Sequence, residues 1–95
     1  MPTIKLLNRA EAELKESCIY YEKQQKGLSK FFRKELSSII EQIGLNPFLY
    51  NSRYNTDLHF AALKKFPFIV IYWFDQKLNT VFITSIFHTK RNPEF

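Results

Sequence analysis

The chain has 95 residues, among them ten Phe and five Tyr, and carries a formal net charge of +5 with a single cysteine. This length provides for one domain with one core, residues 1–95, which must bury most of its apolar side chains to be stable. One cysteine and two histidines exclude a disulfide framework and a Cys/His zinc site, so no metal or other cofactor is expected.

The positive balance favours acidic proteins or nucleic acid as partners through long-range attraction. Met1 to Lys5 has no signal-peptide hydrophobic region. The longest apolar run is about half of what a bilayer span requires, and it contains Pro67. A cytoplasmic protein with no membrane partner is therefore expected.

In chain order, Thr3 to Leu7 reads as a short strand. Asn8 is placed as the N-cap of a helix running from Arg9 to about Lys26, with Glu11 as the other half of a capping box. Ala10, Leu14, Cys18 and Tyr21 form its apolar stripe. Gly27 is a stop, because glycine enters the left-handed region without steric cost. Ser29 is placed as a second N-cap. The helix after it carries Phe32, Leu36, Ile39 and Ile43 on one face, widened by Phe31 and Ile40, and ends at Gly44 and Pro47. Leu45 to Leu58 reads as an irregular polar stretch holding Arg53 and Tyr54.

Strand character resumes at His59 and is expected to continue to Lys65. Phe68 to Phe74 is apolar at every position, the pattern of a central strand. Asp75 to Asn79 is a hairpin turn, and Val81 to Phe87 is again apolar on both faces. The order β-α-α-β-β-β predicts an α+β fold. Its helical hairpin covers one face of a mainly antiparallel sheet and leaves the other face for a partner or substrate.

Several pieces of the chain recur together in a known group. They are Tyr20-Tyr21-Glu22, Gly27-Leu28 with Phe31 or Phe32, Asn46-Pro47, Leu63-Lys64-Lys65-Phe66-Pro67-Phe68, Tyr72, and Phe87-His88-Thr89-Lys90-Arg91-Asn92-Pro93. In this order they resemble the RelE/ParE superfamily of toxins from bacterial type II toxin–antitoxin modules. The resemblance implies a small growth-inhibiting toxin, of the kind tied to plasmid stabilisation, neutralised by a co-encoded antitoxin. It also implies one of two targets: RelE-like members cut mRNA on the ribosome, and ParE-like members poison DNA gyrase.

Metal-free RNA cleavage needs a base for the 2′-hydroxyl, a cation for the phosphate and an acid for the leaving oxygen. His88 is the candidate acid or base, because an imidazole titrates near neutrality. Arg91 is the candidate phosphate fork. Lys64, Lys65, Lys90 and Arg53 are candidate contacts to nucleic acid or target. Lys64 and Lys65 are expected on opposite faces of a strand. His88 is expected with Lys90 and Arg91 on the uncovered side of the sheet. Against a nuclease, Phe66-Pro67-Phe68 stands where ribonuclease relatives carry an arginine, and the strands offer no carboxylate base. Ribonuclease relatives often continue past the last strand with a catalytic Tyr or His, whereas this chain stops at Phe95. The sequence therefore favours a toxin that binds protein, such as DNA gyrase. A ribosome-dependent endonuclease and a non-toxic binding module are the alternatives.

Overall fold

The structure is a computed structural model that describes residues 1–50, 52 and 57–90. Six elements follow the expected order: β1 (Thr3–Leu6), α1 (Asn8–Gln24), α2 (Leu28–Leu45), β2 (His59–Ala62), β3 (Phe68–Asp75) and β4 (Thr80–His88). The sheet runs β1-β4-β3-β2. β1 is parallel to β4, and the other two pairings are antiparallel.

The chain leaves β1 directly into α1. Leu7 N–H still bonds to the Ile83 carbonyl (2.9 Å), while the Leu7 carbonyl already accepts the Glu11 N–H (3.0 Å). Leu7, in extended conformation, is thus the N-cap and Asn8 the first helical residue, with no side-chain cap. The expected Asn8/Glu11 capping box does not form, because the parallel ladder itself fixes where the helix begins. α1 also ends earlier than expected, at Gln24.

Gly27 does adopt the left-handed region, at φ 88°, and is itself the N-cap of α2. Ser29 lies inside the first turn rather than capping it. Its hydroxyl donates to the Glu22 carboxylate (2.8 Å), which also accepts the N–H groups of Gly27 and Ser29. A glutamate from the preceding helix therefore satisfies the donors that a serine cap would have served. The same bonds, with the Ser29 hydroxyl foremost, hold the Glu22 carboxyl below its ordinary pKa.

The α2 stripe is as expected: Phe32, Leu36, Ile39 and Ile43 are buried. Phe31 is not part of it and stands 64% exposed. From α1, Ala10 and Tyr21 reach the core, and Leu14 and Cys18 pack at its margin. Facing them from the sheet are Ala61, Phe68, Val70, Tyr72, Val81, Ile83 and Ile86. Tyr21, Phe32, Phe66 and Phe68 form an aromatic cluster with ring centroids 4.9–6.1 Å apart. Tyr72 is fully buried and donates its hydroxyl to the Pro47 carbonyl (2.8 Å), tying the segment after α2 to the sheet. Burial pushes its pKa up to about 12.

Two departures in the sheet bear on function. β2 ends at Ala62, so Lys64 and Lys65 lie in the β2–β3 turn instead of on a strand. Their N–H groups donate to the Glu35 carboxylate of α2 at 3.0–3.3 Å, which holds the turn irregular. The second departure is a register shift between β3 and β4: Ile71 pairs with Ser85 and Tyr72 with Ile83, leaving Thr84 as an extra residue. This β-bulge is held by Glu13 of α1, which accepts from the Ser85 hydroxyl (2.8 Å) and the Ile86 N–H (3.2 Å).

Candidate functional site

Strand side chains alternate between faces, so an extra residue reverses which face the rest of the strand presents. Val81 and Ile83 face the helices and are fully buried. In a regular strand, His88 would then share the uncovered face with Phe82. The bulge at Thr84 reverses this. Ile86 becomes buried and His88 comes to lie opposite Phe68, a core residue 3% exposed. The two rings meet edge to face, with centroids 4.9 Å apart. The expectation that His88 stands on the uncovered side is therefore corrected: it faces α1 at the margin of the helix-covered side.

His88 lines a pocket of about 280 Å3 together with Phe68 and with Glu16, Ser17 and Tyr20 of α1. Its Nδ1 accepts the Lys90 N–H at 3.2 Å. A neutral imidazole accepting at Nδ1 carries its proton on Nε2. The Ser17 hydroxyl is committed to the Glu13 carbonyl (2.7 Å). Neither Glu16 nor Ser17 belongs to any motif visible in the sequence. Helical spacing places Glu16 and Tyr20 one turn apart on the same face, but only the fold brings them to the end of β4.

The basic candidates fare differently. Thr89 N–H and its hydroxyl both bond to the Pro67 carbonyl, at 2.8 and 3.1 Å. This brings Lys90 to the same end of the sheet as the turn holding Lys64 and Lys65, and all three lysines are exposed. Arg53, Tyr54, Arg91 and Glu94 lie outside the described residues. His59 is a packing residue: its ring stacks on Tyr72 (5.1 Å, 16°) and its Nδ1 bonds to the Tyr50 carbonyl. Cys18 is half-buried at the core margin, and burial, the leading cause, pushes its thiol up. Among the described residues, no group of three or more His, Cys, Asp or Glu could hold a metal ion. None of the described helices is long and apolar enough to cross a membrane.

The uncovered face has another character. Alternation places Phe60 of β2, Ile69, Ile71 and Trp73 of β3, and Phe82 and Phe87 of β4 there, all half-buried. Trp73 and Phe82 stack at 4.7 Å. The charged residues that the described strands add to this face are Lys5 and Asp75, towards its margins.

Solved structures share this architecture. A chain of the intact E. coli RelBE toxin–antitoxin complex matches with a TM-score of 0.73 and 16% identity, over 96% of this chain and 100% of that one. The isolated E. coli RelE toxin in its P21 form matches at 0.74 and 16%, over 97% and 88%. The chromosomal ParDE toxin–antitoxin system of P. aeruginosa matches at 0.69 and 16%, over 95% and 98%. The chain has the RelE/ParE toxin fold. No protein-family model matches its sequence, and no curated protein does.

Fold does not carry function, because function resides in the side chains a fold displays. On this RelE/ParE fold, three different surfaces are on display. They are the apolar uncovered face, the lysine-bearing end of the sheet, and the pocket between α1 and His88.

Proposed function

We propose that the chain, as one domain over its 95 residues, is the toxin of a type II toxin–antitoxin pair. It acts in the cytoplasm by binding a protein target such as DNA gyrase, and a co-encoded antitoxin neutralises it. The observation that carries this reading is the uncovered sheet face. Ile69, Ile71, Trp73 and Phe82 place a row of partly exposed aromatic and aliphatic side chains there. Apolar patches of this kind, with large aromatic side chains near the centre, suit protein recognition. An RNA phosphate backbone requires cations, and this face has Lys5 at its margin. The fold supports the toxin part, since its structural neighbours include the E. coli RelE toxin and two toxin–antitoxin systems. The charge of +5 supports an acidic antitoxin, because complementary charge accelerates association.

The alternative is a ribosome-dependent endonuclease working by metal-independent 2′-OH attack, with His88 and Arg91 catalytic. What favours it is the gathering of Lys64, Lys65 and Lys90 at the end of the sheet that also bears His88. One experiment separates the two. The chain is induced in bacteria with and without the neighbouring gene product, mRNA ends are mapped, and gyrase supercoiling is assayed with purified protein. Growth arrest and supercoiling loss that persist in His88→Ala and disappear in Trp73→Ala support the protein-binding toxin. Codon-positioned mRNA cuts that vanish in His88→Ala would overturn it in favour of the nuclease. No growth effect would leave a binding module without toxicity.

A further inference from the structure

The acidic residues of α1 are not equivalent. Glu13 is spent on the β4 bulge and Glu22 on the turn into α2. Glu16, between them, has no hydrogen bond or ion pair within the described residues, and it lines the pocket in front of His88. On a chain of net charge +5, it places an uncommitted carboxylate in a concave site. The Tyr20 ring beside it is 55% exposed and is braced edge-on by Tyr21 at 5.4 Å. Phe68 supplies the apolar floor. Across the pocket, the His88 ring is fixed on two sides, by its edge contact with Phe68 and by the Lys90 N–H at Nδ1.

We infer that this pocket is an anchor site for an arginine side chain projecting from a partner protein. Three features select that group. The carboxylate of Glu16 accepts the paired N–H bonds of a guanidinium, whose fork matches a carboxylate better than an ammonium does. The Tyr20 ring offers a face on which a flat cation stacks. The third feature is size: about 280 Å3 lies just below the range of about 300–1,000 Å3 usual for small-molecule sites, and suits one inserted side chain. The overall positive charge favours an arginine carried by a segment that is otherwise acidic or neutral. The inference deepens the protein-binding reading and rests on it for the nature of the partner.

The test uses the purified chain and small probes, and needs no partner. Ring signals of Tyr20, Phe68 and His88 are followed by NMR during titration with N-acetyl-arginine methylamide, with the lysine analogue, and with inorganic phosphate. The expected result is a saturable shift with the arginine probe, weaker binding of the lysine probe, and no saturable shift with phosphate. Glu16→Gln should weaken arginine binding about tenfold, the weight of one charge-assisted hydrogen bond. This variant should fold normally, because Glu16 is exposed and holds no backbone group. The inference is overturned by absence of saturable arginine binding, by equal binding of the lysine probe, by phosphate moving the same signals, or by an unchanged Glu16→Gln. If the arginine probe fails while the neighbouring gene product is still captured, the anchor alone is lost. If the probe binds but that product does not, the toxin–antitoxin reading is what fails.

Discussion

The two faces of the sheet are both built from large apolar side chains, yet they perform different tasks. On the covered face, Phe68, Val70, Tyr72, Ile83 and Ile86 are at most 3% exposed beneath the helices. On the other face, Ile69, Ile71, Trp73, Phe82 and Phe87 alternate with them and remain half-buried. Strands that face only water on one side normally carry polar residues there. Here the pattern is apolar on both, so the outer row is more apolar than a solvated face requires. On the proposed function, this outer row is kept for contact with a partner, at the risk of aggregation.

Substitutions can break this contrast. The largest effect should come from the covered side. Phe32→Ala empties the centre of the aromatic cluster, where Phe32 is fully buried, and should cost about 3–5 kcal/mol in urea unfolding. Next is Glu13→Ala, which leaves the Ser85 hydroxyl and Ile86 N–H of the bulge without their acceptor; about 2 kcal/mol of destabilisation is expected from the same measurement. An equal loss in Glu16→Gln would show that the two glutamates do not differ as described.

Tyr72→Phe removes the bond to Pro47 and should cost about 1 kcal/mol. Tyr72 also predicts a pH dependence. Its folded pKa of about 12 lies above the ordinary value of 10.0, so the folded state retains a proton that the unfolded state releases. The resulting stability is complete below pH 10 and is lost as pH rises from 10 through about 12. Urea midpoints recorded across that window should fall less steeply in Tyr72→Phe than in the parent. On the open face, Trp73→Ala removes a half-buried ring stacked on Phe82 and should cost about 1–2 kcal/mol, less than Phe32→Ala, while abolishing target binding. A loss as large as that of Phe32→Ala would mean that Trp73 is a core residue after all.

Much of the fold was legible in the sequence because it rests on local periodicity. The spacing of Phe32, Leu36, Ile39 and Ile43 marks α2 and its buried face, and unbroken apolar runs mark β3 and β4 as inner strands. Gly27 marks the turn between the helices through a backbone requirement that belongs to the residue itself. The helix caps were not legible, since the groups that satisfy those ends come from other elements: Leu7 through the β1–β4 ladder, and Glu22 reaching across to Gly27 and Ser29. Helical spacing widens the α2 stripe to include Phe31, yet the fold leaves it 64% exposed.

The candidate site was only partly legible. The sequence by itself determined that His88 and Lys90 close the last strand and that Lys64 and Lys65 precede the central one, because chain order fixes what stands at a strand end. Tertiary structure alone decided where the imidazole points. A side chain's face depends on counting residues from a hydrogen-bonded register, and a bulge at Thr84 reverses that count. Neither Thr84 nor its neighbours announce the bulge, since the carboxylate that steadies it arrives from Glu13, 72 residues away from Ser85 in the chain. The same long-range docking of α1 on β4 creates the pocket around Glu16 and His88.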